Sequence, residues 1–319
     1  MRVAVVGCGG IGKTHARAYK SLDDVELLYM IDKVPELAET SAKEFLAVAL
    51  NNINEMKVMP DIASVATPPF AHTDVVLGLL NMGIPVFCEK PLTMNKNEAR
   101  QIVQASDDLN VPVGIGFKMR YEPVFQKARE LIHRLGKLYA VSVVKNQPYN
   151  PRPNGWIPRV GCMYELSVHE YDLVNWIAGI IPQSVYAELE YDFGWERENR
   201  AYLDINYNGG IKGQLLSSYS PHTKFTFSDL SITYVGECGY MRIERPNRIF
   251  LHTDKDEVIN ITPKENINLF AEELSDFIEA VKQGSDVHPN AKDGAEMTFL
   301  VESARESSTS GKRVFVEKV

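Results

Sequence analysis

Three groups of residues in this 319-residue chain have the types and spacing to do chemistry. The first is Gly7-Cys8-Gly9-Gly10-Ile11-Gly12, a G-x-G-x-x-G run between the apolar Val3-Ala4-Val5-Val6 and the helical pattern from Lys13 to Tyr19. In that setting Gly7 permits a tight turn, Gly9 lets the backbone approach a pyrophosphate, and Gly12 allows close helix packing. The following helix offers its free N–H groups and positive dipole end to the phosphates. Twenty residues beyond Gly12, Asp32 ends the second apolar run, placed to accept hydrogen bonds from an adenosine ribose and to repel a 2′-phosphate. That favours NAD as the cofactor. Lys33 beside it softens the preference and keeps NADP as the alternative, and a flavin nucleotide is the other competitor for such a loop.

The second group is Glu89-Lys90-Pro91, which follows the apolar Ile84 to Cys88. It falls at the C-terminal end of a strand, where open α/β sheets bind ligands. A lysine there, taken alone, reads equally well as a solvated cation. The third group is Glu165, His169 and Asp172, spaced four and three apart, so that they share one face if the segment is helical. Singly, His169 reads as a packing histidine and Asp172 as a cap or brace. Together they align a carboxylate, an imidazole and a second carboxylate. Cys8, Cys88, Cys162 and Cys238 lie far apart without a C-x-x-C pair, which suggests buried small hydrophobes and no metal or disulfide framework.

Elements must position these groups. Up to about residue 119, short apolar strands (Val3 to Val6, Leu27 to Ile31, Ile62 to Ala66, Val86 to Cys88, Val113 to Ile115) alternate with helical patterns such as Asn95 to Asp108. This is the grammar of a parallel doubly wound sheet. Beyond about residue 120 it changes: Ala201, Leu203, Ile205 and Tyr207 alternate with polar neighbours, and Asn208-Gly209-Gly210 turns the chain into Ile211 to Tyr219. Further strands around Leu230 to Val235, Tyr240 to Glu244 and Ile249 to His252 precede helices at Leu269 to Val281 and Ala291 to Glu306. The expected architecture is an α/β Rossmann domain over 1–119 and an α+β domain over 120–319 with an open, mainly antiparallel sheet. A net charge of −8 and a pI near 5.5 argue against a nucleic-acid surface. No apolar run approaches the roughly 18 residues of a membrane span and no cleavable leader is visible, so a soluble, cytoplasmic protein is expected. Leu203 and Ile205 leave one sheet face unsuited to water, which predicts a homodimer or homotetramer.

Taken together, Gly7-x-Gly9-x-x-Gly12, Ala66-Thr67-Pro68 with His72, Glu89-Lys90-Pro91, Gly116-Phe117 with Met119-Arg120-Tyr121, and Glu165-x-x-x-His169-x-x-Asp172 span nearly the whole chain. In them the sequence resembles the glucose-fructose oxidoreductase, inositol dehydrogenase and rhizopine-catabolism family (GFO/IDH/MocA). It departs in carrying Glu165 where inositol dehydrogenases tend to have aspartate and Ser167 where glycine is common. The resemblance implies nicotinamide-linked oxidation of a secondary alcohol in a carbohydrate-like small molecule. It further implies a cofactor site including Gly10, Ile11, Thr67, Pro68, His72, Glu89 and Lys90, a cis Lys90–Pro91 bond, and a C-terminal sheet used for oligomerisation. Lys90 matches the family's catalytic lysine and His169 its catalytic histidine. Carbinol oxidation needs a base within hydrogen-bond reach of the hydroxyl, the role expected of His169. Lys90 is expected to stabilise the developing oxyanion and Glu165 to orient the pair or bind a neighbouring hydroxyl. Lys118, Arg120, Tyr121, Trp156, Arg159, Tyr164 and Asp172 are the expected substrate-lining residues, and Arg152 with Arg159 leaves open a phosphorylated or nucleotide-linked sugar. The alternatives are a dihydrodiol or nucleotide-sugar dehydrogenase and, from another class, a catalytically inactive cofactor-sensing regulator.

Overall fold

A computed structural model describes residues 1–149, 155–220, 229–262 and 267–319, and in it the chain forms two units. One is Met1–Lys118 with Asn266–Thr298, the other Met119–Glu265 with Phe299–Lys318. The described residues 267–298 thus group with the first unit, although in sequence they follow the strands of the second.

The first unit is built on six parallel strands: β1 (Arg2–Val6), β2 (Glu26–Ile31), β3 (Val48–Leu50), β4 (Ile62–Val65), β5 (Val86–Cys88) and β6 (Val113–Ile115), in the order β3-β2-β1-β4-β5-β6. Val3, Ala4 and Val5 on β1 and Ile62, Ala63 and Val65 on β4 have no exposed surface, as expected of central strands covered on both faces. The order reverses between β1 and β4, and such a switch point opens a crevice at the carboxyl ends of the strands. Local chemistry sets the helices. Asn95 caps Lys96–Leu109 by accepting the N–H groups of Asn97 and Glu98, the helix buries Ala99, Ile102 and Val103, and Asn110 ends it in the left-handed conformation. Helix Leu269–Gln283 contributes Leu274, Phe277 and Ile278 to the same core as Ala16, Tyr19 and Phe87.

The second unit carries nine strands: β7 (Leu138–Pro148), β8 (Pro182–Glu190), β9 (Arg200–Tyr207), β10 (Lys212–Ser220), β11 (Asp229–Gly236), β12 (Gly239–Glu244), β13 (Arg248–His252), β14 (Asp256–Asn260) and β15 (Val314–Phe315). Their order is β14-β13-β12-β11-β7-β10-β9-β8-β15, antiparallel except where β7 meets β10. The alternation read in β9 holds, but its apolar side faces the interior. Leu203 and Ile205 are 3% and 0% exposed, so they are not the uncovered face expected above. The uncovered side bears Tyr186, Tyr202, Tyr240 and Val258, each 36% exposed or more. Helix Val168–Ala178 is buried along its length from Val168 to Asn175, and Tyr234 on β11 donates its hydroxyl proton to the Val174 carbonyl. Residues Met163–Ser167, just before it, form a π-helical turn.

Candidate active site

Each unit carries its own set of candidate site residues. In the first, the glycine loop has the geometry expected of each glycine. Gly7 has φ +99°, and a Cβ there would lie 2.6 Å from the Ala66 carbonyl. A Cβ on Gly12 would stand 1.7 Å from the Gly7 oxygen, so the helix packs there only because none exists. At Gly9 and Gly10 nothing lies within 4 Å of the same position, so the outer edge of the loop is open, and Ile11 beside it is exposed. Asp32 ties this loop to the end of β2: Oδ2 accepts the Cys8 N–H at 2.8 Å and Oδ1 that of Val34 at 2.9 Å. The Thr67 hydroxyl is buried without a hydrogen-bond partner. An open glycine edge, an anchored carboxylate and an orphaned hydroxyl fit a dinucleotide. Gly7 to Gly12, Asp32 and Thr67, with exposed Pro68 following, are the residues that would hold it.

His72 and Glu89, expected among the cofactor residues, are engaged within the chain. His72 has no exposed surface, and its ring nitrogens lie 2.9 Å from the carbonyls of Thr67 and Pro91, so it braces the two loops that follow β4 and β5. Burial lowers its pKa. Glu89 is turned inward: Oε1 meets His15 Nε2 at 2.9 Å, and Oε2 accepts the N–H of Lys90 at 3.1 Å. His15 Nδ1 is held in turn by Ser64 at 2.8 Å. Lys90 is half-buried, and its bond to Pro91 is cis. Near this pair lies Glu273, fully buried with neither carboxyl oxygen hydrogen-bonded. Burial, reinforced by the charge of Glu89, pushes its pKa well above the usual carboxylate range. Burial alone would raise Glu89 too, but the hydrogen bond and charge of His15, then Lys90 and Lys118, hold it below that range. The two carboxyl groups are thus pushed in opposite directions, Glu273 up and Glu89 down. His15, Glu89 and Glu273 bring ligand-type atoms within 4.8 Å of one another, and the Lys118 ammonium, lying 4.3 Å from the Phe270 ring centre, supplies them with positive charge.

In the second unit, Glu165 lies in the π-helical turn and His169 in the first turn of the α-helix after it. The shared face was expected from a uniform α-helix, and the wider π turn rotates Glu165 relative to that row. His169 and Asp172, three apart in the regular helix, keep a common face, and Asp172 is held there by a partner. Asp172 is 2% exposed and forms a two-pronged ion pair with Arg120, Nε to Oδ2 at 2.8 Å and Nη2 to Oδ1 at 2.5 Å. Both were expected to line the substrate, and the structure places them in the interior, paired with each other. Tyr164 is likewise a core residue with no exposed surface, its hydroxyl donating to Glu302 at 3.0 Å. Arg159 is exposed and 3.9 Å from Glu196, while Tyr121 and Trp156 are half-buried; Arg152 lies outside the described residues.

Two groups beside this segment escaped the sequence reading. Tyr219 on β10 is buried, and the nearby charge of Glu165 adds to burial in raising its phenol. Its ring packs 5.7 Å from Tyr149 and 5.6 Å from Trp195, which also meet each other at 4.7 Å, giving three aromatic rings together. Lys145 on β7 is 3% exposed, its pKa lowered by burial against the opposing charge of Glu170. A signal existed for it: Lys145 continues the inward parity of Val141 and Val143, where a charge is out of place.

The pattern of fold and site is that of a family. Residues 1–117 match the family model of the GFO/IDH/MocA oxidoreductases with an NAD-binding Rossmann fold, and residues 129–316 match the family's C-terminal alpha/beta domain. The chain belongs to this oxidoreductase family. It is 24% identical over 331 residues to the inositol 2-dehydrogenase of Rhizobium meliloti (strain 1021), covering 99% of each chain. The crystal structure of a levoglucosan dehydrogenase with NADH and L-sorbose superposes with a TM-score of 0.90 at 18% identity, covering 100% of this chain and 99% of that one. The UDP-N-acetylglucosamine 3-dehydrogenase of Acidithiobacillus ferrooxidans gives 0.85 at 20% identity, with 97% and 98% covered. At these identities the structures establish the fold. No helix among the described residues is long and apolar enough to cross a membrane.

Proposed function

We propose that the protein is an NAD-dependent dehydrogenase that oxidises a secondary alcohol of a sugar or cyclitol, working as a cytoplasmic homo-oligomer. The observation that carries this reading is the joint presence of a glycine edge clamped by Asp32 in an NAD-binding Rossmann unit and of Glu165 and His169 on one π-to-α turn. A regulator that only senses cofactor needs the first and not the second. Bound NAD supplies the hydride acceptor. His169 takes the hydroxyl proton, and Lys90 donates a hydrogen bond to the same oxygen as charge develops on it. Glu165 orients the imidazole or binds a neighbouring hydroxyl. Tyr149, half-buried and packed edge-on against the buried Trp195 and Tyr219, offers an aromatic ring suited to the C–H face of a sugar.

Arg120, paired with Asp172 in the interior, is not offered to a phosphate, whereas exposed Arg159 keeps a phosphorylated or nucleotide-linked sugar as the second reading. The test is absorbance of NADH formed with a panel of cyclitols, aldoses, phosphosugars, nucleotide sugars and dihydrodiols. Turnover with a neutral cyclitol or sugar is expected. A protein that binds NAD and turns over none of the panel would move the reading to the regulator.

A further inference from the structure

Outside every motif, Glu198 and Arg305 form an ion pair in the interior of the second unit, 0% and 9% exposed. Arg305 Nε reaches Glu198 Oε2 at 3.2 Å and Nη2 reaches both carboxylate oxygens at 3.1 Å. Such a pair is weak evidence for stability, because desolvating two charges offsets much of their attraction. Its contacts indicate another use. Arg305 Nη2 donates to the Val160 carbonyl at 2.8 Å, and Glu198 Oε1 accepts the Met163 N–H at 3.3 Å. The Glu198 carbonyl takes the Cys162 N–H at 2.8 Å, and the neighbouring Arg197 N–H donates to the Pro158 carbonyl at 3.0 Å. Between these points stands Gly161, with φ +91° and a vacant Cβ position 2.2 Å from Glu198 Oε1. Only glycine lets the carboxylate this close. Its carbonyl in turn accepts the Glu165 N–H at 3.1 Å. The segment pinned in this way runs directly into the π turn that carries Glu165 and then into the helix that carries His169.

We infer that Glu198 and Arg305 are positioning residues for the reaction: their ion pair, closing on Gly161, fixes where the Glu165 and His169 turn begins. This rests on the roles assigned to Glu165 and His169 under Proposed function. A shift of about 1 Å at a catalytic group costs on the order of 100-fold in rate, so loosening the anchor should be felt in chemistry before it is felt in cofactor binding.

The experiment compares Glu198→Gln, which keeps the shape, Arg305→Lys, which keeps the charge, and Gly161→Ala, which pushes a methyl at the carboxylate. Each is measured for kcat with the best polyol, KM for NAD, the deuterium isotope effect on kcat with carbinol-deuterated substrate, and amide hydrogen exchange over residues 160–167. Expected are a kcat loss of about 10²-fold, an unchanged KM for NAD, a larger isotope effect, and faster exchange confined to that segment. Folded variants with normal kcat and normal exchange would overturn the inference. So would a general collapse of thermal stability in all three, which would make the pair a support of the whole unit. If the wild type turns over no polyol, the functional reading fails by itself, and the exchange pattern still decides whether the pair pins the segment.

Discussion

Asp32 holds a main-chain N–H with each carboxylate oxygen, so its charge is fixed at the loop before any ribose arrives. Charge-assisted hydrogen bonds of this kind contribute about 1.5–3 kcal/mol, so Asp32→Ala should weaken NAD roughly 10- to 100-fold and narrow its margin over NADP, read by fluorescence titration. A wild type that prefers NADP would remove this role from Asp32. His169→Ala should lower turnover by about 10²–10⁴-fold, the usual worth of a positioned general base, at unchanged NAD affinity; near-normal turnover at saturation would make His169 a packing residue. Glu273 makes a prediction of opposite kind. An acid whose pKa is raised on folding keeps its proton in the native state where the unfolded chain has released it. Its contribution is therefore fullest below its ordinary value near 4.5 and is lost as pH rises towards the raised one. Thermal midpoints should fall over that interval in the wild type and fall less in Glu273→Gln, which should be the more stable protein at slightly alkaline pH. A difference between the two that does not change with pH would mean that Glu273 titrates normally.

At the scale of elements, legibility followed how local each determinant is. Gly7 and Gly12 act through backbone geometry within one strand-turn-helix, so the tight turn and the close helix packing are visible in a short run of sequence. Inward and outward sides of β9 were readable from parity, but which side was covered was not, because helix Val168–Ala178 and the strands meet only in the fold. Glu165, His169 and Asp172 were aligned by assuming α-helical period throughout. The π turn leaves no mark in residue types, and Arg120, the ion-pair partner of Asp172, stands 52 positions away. Glu198 and Arg305 lie 107 apart and belong to no motif. The Arg120–Asp172 pair gives a direct check of the correction. Removing one partner of a buried pair leaves an uncompensated charge, so Arg120→Met should cost about 3–5 kcal/mol in denaturant unfolding, and Arg120→Met with Asp172→Leu should recover most of it. A loss of about 1 kcal/mol or less, as for exposed pairs, would mean that water reaches the pair.

At the scale of the whole molecule, the outer side of the nine-stranded sheet sets the expected association. Ser142, Val144, Tyr186, Tyr202, Gln214 and Leu216 line a groove there, flanked by Glu188 and Asp204. Further along the same sheet, Tyr240 and Val258 are 40% and 57% exposed. An antiparallel sheet tolerates water on one face when that face is polar, and this one is rich in aromatic and aliphatic surface. A second copy covering it would bury the roughly 800 Å² per partner typical of a specific interface. The chain carries a net charge of −8, so two copies repel while their apolar faces attract. Salt screens the repulsion, with a Debye length near 10 Å at about 0.1 M, and leaves the apolar attraction in place. Association should therefore tighten as ionic strength rises. Light scattering across a salt series is expected to show a dimer or tetramer at micromolar concentration, strengthened by salt and shifted towards monomer by Tyr202→Glu. A monomer at every salt concentration would sink the expectation, and an oligomer that salt dissociates would place the contact on charged surface elsewhere in the molecule.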